Sequence, residues 1–134
     1  MRAKLLRIYR DERGHLFEAF RGSVAMAYVV QTEPGHGRDL DRWHVHAHKA
    51  ETFIPVAGRM HLAVKQGRDV TVYALNADHP RGVTVMPGEG HSVANLGEEP
   101  ATLLVVCDSL YDPSDEGREP MENWSWDPWR PKPN

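Results

Sequence analysis

The residues that invite a chemical reading lie in HVHAHKAE, residues 44 to 51. His44, His46 and His48 fall at every second position, which puts them on one face of a strand if that strand stays regular. Two imidazoles from this strand and the carboxylate of Glu51 from the next can converge on one point. His91, in VMPGEGHSVAN, is the candidate for a fourth donor, because Pro87 and Gly88 turn the chain just before it. His44, His46, Glu51 and His91 form a borderline nitrogen and oxygen donor set. It suits one divalent transition metal (Mn, Fe, Zn, Co or Ni) with positions left open. Imidazole also titrates near neutral pH, so the same residues suit proton transfer. The competing reading is a patch of surface or core histidines. His48 is left over as a rim residue, and His15, His36 and His79 sit beside turn residues and read as solvated. His61 alternates out of phase with Met60, Leu62 and Val64.

The elements that must position these groups read as short strands. KLLRIY, MAYVVQT, RWHVHAH, ETFIPVA, RMHLAVK, VTVYAL, GVTVM, HSVAN and ATLLVVC are rich in β-branched and aromatic residues, and several alternate with period two. PGHG, QGRD, DHPRG, PGEG and GEEP punctuate them with turn residues. No segment carries a long helical pattern; GHLFEAF is short enough to be either a minor helix or a strand. Regular short strands in 134 residues predict an all-β antiparallel sandwich or small barrel in one domain.

Composition narrows the function classes. Hydrophobic residues at 40% and charged residues at 26% describe a globular chain with a core. A net charge of -3 gives no basic face for nucleic acid. No stretch is long and apolar enough to span a bilayer, and MRAKLLRIYRDERG lacks the apolar run of a signal peptide. With Cys107 the single cysteine, the expectation is a cytoplasmic protein without an internal disulfide. Cys107 lies in the apolar run ATLLVVC and reads as core rather than nucleophile.

The chain changes character after residue 110. Residues 111–134, YDPSDEGREPMENWSWDPWRPKPN, are rich in proline and tryptophan and read as a tail strapped over the 1–110 barrel or over a partner subunit. Trp124 and Trp126 are also candidates for stacking on a flat or sugar-like substrate at a pocket mouth.

HVHAHKAETFIPVAG is similar to the first motif of the cupins: His-x-His, four residues, Glu, six residues, Gly, met by His44, His46, Glu51 and Gly58. PGEGHSVAN resembles the second, with Pro87, Gly88, His91 and Asn95 in place. The resemblance implies a single-domain double-stranded β-helix, or jelly-roll barrel, commonly paired as a homodimer. In metal-binding members the residues matching His44, His46, Glu51 and His91 are the ligands. DERGHLFEAF and LYDPSDEGREPMENWSWDP further resemble dTDP-4-dehydrorhamnose 3,5-epimerase and the related dTDP-sugar 3,4-ketoisomerases. The matches are Asp11, Arg13, Gly14, Glu18 and Phe20, then Tyr111, Pro113 and Glu116. In the epimerases a histidine matching His44 is the catalytic base. His46 and Glu51 stand here where those enzymes carry glutamine and lysine, and the tyrosine acid expected near Val105 is missing.

The resemblance implies an enzyme that isomerises or epimerises a keto-sugar, nucleotide-linked sugars among the candidates, by taking a proton beside the carbonyl. His44 is the base and Tyr111 the nearest phenol for proton return. If His44 instead holds a metal, the base falls to His48 or Tyr111. Arg42 and Arg59 are the cations expected at a diphosphate. A metal-dependent oxygenase, lyase or hydrolase on a small organic substrate is the second class, and a non-catalytic sugar-binding barrel the third.

Overall fold

The computed structural model describes residues 2–131. Thirteen strands run β1 (Ala3–Leu5), β2 (Ile8–Asp11), β3 (Gly14–Phe17), β4 (Met26–Thr32), β5 (Gly37–Arg38), β6 (Arg42–Val45), β7 (Glu51–Ala57), β8 (Arg59–Gln66), β9 (Asp69–Asn76), β10 (Arg81–Val85), β11 (Gly90–Ala94), β12 (Ala101–Cys107) and β13 (Gly117–Pro120). Two short 3₁₀ turns, Pro113–Asp115 and Asp127–Trp129, complete the elements. The first sheet has strand order β1-β10-β7-β12-β4 and the second β13-β6-β11-β8-β9, with β5 on β11 and β2–β3 as a separate hairpin. This is the expected cupin jelly roll. GHLFEAF contributes a strand, Gly14–Phe17, rather than a helix, and KLLRIY is split between β1 and β2.

Period-two alternation sorts side chains to the two faces of each sheet. Phe53, Val83, Val85, Leu103 and Val105 of the first sheet meet Leu62, Val64, Leu75 and Val93 of the second in one core. The opposite face of the second sheet builds another cluster from Trp43, Ala63, Ala94 and Trp126, with Trp124 packed against it. Sheets that bury both faces need such a cover, and here the C-terminal segment supplies it. Trp126 is 1% exposed and donates its indole N–H to Ser92 Oγ at 2.7 Å. Trp124 lies 5.2 Å from Trp43 and 5.1 Å from Trp126, ring centre to ring centre.

Residues beyond 110 are therefore more than a strap. β13 pairs with β6, with Arg118 opposite His44 and Gly117 opposite Val45, so the second sheet includes a strand from the segment read as tail. The last residues of that segment, 132–134, lie outside the described residues. Two glycines fix close approaches. Gly58 turns β7 into β8 at φ +70°, and a Cβ on Gly90 would stand 2.9 Å from Trp43 Cβ. Asn95 of the second motif is fully buried. Its amide donates to the carbonyls of Thr32 and Glu99 at 2.9 Å, so it ties strand ends together.

Replacing the buried Trp126 with Ala should cost about 3–5 kcal/mol, the usual range for an aromatic truncated in a core. Trp129→Ala, at a ring that is 45% exposed, should cost less than about 1 kcal/mol. Urea unfolding followed by circular dichroism checks both.

Candidate active site

The site is assembled where the N-terminal end of β7 meets β6 and β11. His44 and His91 are register partners across β6 and β11, so their rings stack 5.0 Å apart at an interplanar angle of 26°. β6 ends at Val45, and His46 lies just beyond it. The three histidines of HVHAH thus do not share one regular strand. His46 turns inward and is buried, while His48 is exposed and meets the site only through its backbone N–H, which bonds Asp115. Glu51 opens β7 between Val85 and Cys107 of the flanking strands and is 2% exposed.

A buried carboxylate needs partners, and Glu51 divides its own. Its Oε2 accepts from Tyr28 O–H at 2.8 Å and from the Cys107 thiol at 3.6 Å, with Lys49 Nζ 3.9 Å away. Its Oε1 faces His46 Nε2 at 2.9 Å and His91 Nε2 at 3.4 Å. The His46 approach is off the hydrogen-bond line, so His46 Nε2 and Glu51 Oε1 are both buried without a hydrogen-bond partner. His46 Nδ1 donates to the Asp115 carbonyl at 2.8 Å. That bond leaves the Nε2 lone pair aimed at an oxygen unless a proton or a cation lies between them.

His44 is held differently. Its Nε2 donates to Glu116 Oε2 at 2.5 Å, and its Nδ1 lies 3.4 Å from Asp39 Oδ2. Arg118 secures Asp39 in turn, its Nε 2.9 Å from Oδ1. Beside His44 opens a cavity of about 380 Å³ walled by Tyr28, Arg38, Asp39, His91 and Arg118, with an apolar side of Phe53, Val93, Leu103 and Val105.

Burial shapes the protonation of the cluster. It would raise the Glu51 carboxyl, but His46, His91 and Tyr28 outweigh it and hold the group at about 2. Burial pushes His91 down to about 3, further than Glu51 can lift it. It also lowers His44, helped by His46 and Arg118 and only partly opposed by Glu116 and Asp39. His46 ends above its ordinary value, because Glu51 and the Asp115 carbonyl exceed the cost of burial. Burial and the Glu51 charge raise the Tyr28 phenol well above the usual range and the Cys107 thiol to about 12. Cys107 is thereby an unreactive donor to Glu51, in keeping with a core role.

The donor set suits a divalent cation in part. Nitrogens of His44, His46 and His91 lie within 4.8 Å of one another. The orphaned Nε2 of His46 and Oε1 of Glu51, with His91 Nε2 beside them, match two histidines and a carboxylate around one ion. His44 joins such an ion only by leaving Glu116 or Asp39.

Several residues expected at the site stand elsewhere. Tyr111 is 62% exposed. Trp124 and Trp126 cover the outer face of the second sheet, opposite the cavity, and Trp124 borders an open hollow there with Lys65 and Arg68. Arg42 is half exposed beside Asp39 and Asp41 and does not border the cavity. Arg59 lies at the opposite end of β7, in a separate cavity of about 470 Å³ with Asn76, Asp78 and Glu98. The cations beside His44 are Arg38 and Arg118. The phenol is Tyr28, which pairs in register with Val105, the position where the epimerase resemblance expects a tyrosine.

The family model described as "Polysaccharide biosynthesis C-terminal domain" matches residues 9–117. A relative described as a probable low-salt glycan biosynthesis epimerase, from Haloferax volcanii, is 29% identical over 129 residues, covering 85% of this chain and 81% of that protein. A dTDP sugar isomerase from Desulfovibrio desulfuricans has a similar structure, with TM-score 0.83 and 19% identity over 93% of this chain and 89% of that one. So does a sugar 3,4-ketoisomerase from Thermoanaerobacterium thermosaccharolyticum, solved with TDP, with TM-score 0.73 and 20% identity over 85% and 84%. These two structures carry the same fold.

Protonation gives a stability test in metal-free buffer. Between folded and ordinary values the unfolded chain binds the extra proton, so stability falls as pH drops. The window runs from 6.5 to about 3 for His91 and from 4.5 to about 2 for Glu51. His46, raised instead, contributes stability below 6.5 that is lost as pH rises through its folded value. Urea unfolding should therefore show stability declining from pH 6.5 downward. His91→Asn should remove about 1.4 kcal/mol per pH unit, one proton's slope, from the part above pH 4.5.

Proposed function

The chain belongs to the polysaccharide biosynthesis C-terminal domain family, and from that premise we propose that it is a sugar epimerase or isomerase acting on a nucleotide-linked keto-sugar. The observation that carries the reading is the setting of His44. One ring nitrogen is fixed by Glu116, the other looks toward Asp39 beside the cavity, and burial holds the ring below its ordinary value. A neutral imidazole with one nitrogen tied as N–H presents a lone pair on the other. His44 Nδ1 takes the proton from the carbon beside the ketone, and Asp39 stabilises the imidazolium that forms. The enolate oxygen is the charge to be stabilised, and Arg38 and Arg118 are the cations placed to hold the diphosphate or that oxygen.

Tyr28 stands on the first sheet and His44 on the second, and both border the same cavity. A sugar ring held between them loses a proton on one face and regains one on the other, which inverts the carbon. This favours epimerisation over return of the proton to the same face. The raised phenol keeps its proton until an enolate strong enough to take it is present. The glycan-epimerase description of the Haloferax volcanii relative points the same way. The exposed hairpin β2–β3, carrying Tyr9 and Leu16 at 54% and 66% exposure, supports a homodimer that covers it.

A second reading rests on the orphaned His46 and Glu51 atoms. His46, Glu51 and His91 would hold one divalent transition metal (Mn, Fe, Zn, Co or Ni), leaving His44 to Glu116. When bound, the ion supplies a Lewis acid for the ketone oxygen.

In deuterium oxide the protein should wash deuterium into dTDP-4-keto-6-deoxyglucose beside the ketone, read by NMR. His44→Asn should slow this at least about 100-fold, the lower range for a lost general base. Tyr28→Phe should keep exchange but lose the inverted product. A wild-type protein that neither exchanges nor binds this sugar nucleotide sinks the sugar reading. The metal reading predicts calorimetric binding of one Mn, Fe, Zn, Co or Ni ion per chain, lost in Glu51→Gln; wild-type protein that binds none of them refutes it.

A further inference from the structure

Lys49 is a buried cation that the spacing of HVHAHKAE gives no reason to notice. Its side chain is 6% exposed, among the most enclosed charges of the described residues, and it does not border the cavity. Its ammonium lies 3.9 Å from Glu51 Oε2 and 3.9 Å from Glu116 Oε1. Both distances exceed hydrogen-bond reach, so Lys49 acts on each carboxylate as a charge. The two carboxylates belong to different parts of the machinery. Glu51 faces His46 and His91, whereas Glu116 grips His44.

We propose that Lys49 is the built-in cation of this site, a positioning residue that holds Glu116 on His44 and weakens the hold of His46, Glu51 and His91 on a divalent ion. Two effects follow from one charge. Removing the ammonium strips Glu116 Oε1 of its cation and leaves only Arg118 Nη1, 3.8 Å from Oε2. The carboxylate then turns more readily from His44 toward His46, whose Nδ1 is 3.9 Å from Oε1. It also strips the Glu51 carboxylate of a positive neighbour that repels any second cation at Oε1. A like charge buried this close is screened little by salt, so the effect should persist at physiological ionic strength.

The kinetic half rests on His44 as base; the metal half does not. Lys49→Met, close in shape and uncharged, and Lys49→Arg, which keeps the charge, are compared with wild type by calorimetric titration with Co²⁺. The Met variant should bind Co²⁺ at least tenfold more tightly, and the Arg variant within about threefold of wild type. In the deuterium-exchange assay the Met variant should lose at least tenfold in kcat with KM changed less than threefold, and Arg should restore most of it. Glu116→Gln should lose about as much as Lys49→Met, and the double variant little more, since both break one unit. If Lys49→Met folds poorly, Lys49→Gln takes its place in every arm. Equal Co²⁺ affinity in wild type and the uncharged variant overturns the proposal, whatever the exchange rates. Additive losses in the double variant overturn it as well. Absence of exchange in wild type would instead remove His44 as base and leave Lys49 to be judged on Co²⁺ alone.

Discussion

A carboxylate sealed at the end of a β-barrel core is the constraint from which most of this site follows. Glu51 is 2% exposed between Val85 and Cys107, where an isolated charge would be costly enough to neutralise itself or unfold its surroundings. The surrounding groups compensate: a phenol and a thiol on one oxygen, two imidazoles on the other, an ammonium at 3.9 Å. These neighbours come from β4, β12, β11 and the loop before β7. One buried charge therefore fixes the relative placement of both sheets at this end. Losing one partner shifts its share of the charge onto the remaining neighbours, which is why such networks are disrupted more than the worth of one contact suggests.

The C-terminal segment is the second support. Asp115 caps the turn after β6, its carboxylate accepting from the backbone N–H groups of Ala47 and His48, while its carbonyl accepts from His46 Nδ1–H. Glu116 then meets His44, and Arg118 meets Asp39. β13 is exposed along its whole length and lies at the edge of its sheet, so backbone pairing with β6 and the Trp126 anchor hold it in register. Without that register, the residues that orient His44 would be only loosely tethered. The tryptophans thus serve the site indirectly, by fastening the strand that delivers its charged partners.

Which parts of this were legible in the sequence follows from range. His44, His46, Glu51 and His91 could be read because their spacing is local and imidazoles are rare in core strands. Strand alternation pointed to the barrel, since RMHLAVK and GVTVM show it openly. Tyr28, Asp39 and Arg118 left no such mark; Glu116 appeared only as a match in the closing segment, without its link to His44, and Lys49 lies within HVHAHKAE but outside its alternation. Tyr28 reaches Glu51 across 23 positions, Glu116 reaches His44 across 72, and Arg118 reaches Asp39 across 79. Only the strand order brings them together. Trp124 and Trp126 misled because aromatic composition says that a ring needs cover, not which face of a sheet provides it. Arg42 and Arg59 misled because place along a strand decides which arginine sees the cavity. Arg42 shares the parity of His44 but sits at the start of β6 beside Asp39 and Asp41, and Arg59 lies at the far end of β7. His48 follows the alternation of HVHAH in sequence but not in space, because β6 stops at Val45.

The proximity of His44 to a metal-type donor set raises the question of how one pocket could support both proton transfer and cation binding. The two need different nitrogens in different states. A base must keep one nitrogen tied and the other open to substrate, and His44 has its Nε2 tied to Glu116 while its Nδ1 stands 3.4 Å from Asp39 beside the cavity. A ligand must offer its lone pair away from other donors, and His46, with its Nδ1 spent on a backbone carbonyl, does so toward Glu51. The strand end at Val45 makes the division possible: it turns His46 out of the row that His44 shares with His91 and Arg118. An uninterrupted strand would keep both imidazoles in one row, competing for the same partners. The irregularity that spoils the simple alternation is therefore what separates the proposed base from the proposed ligand set.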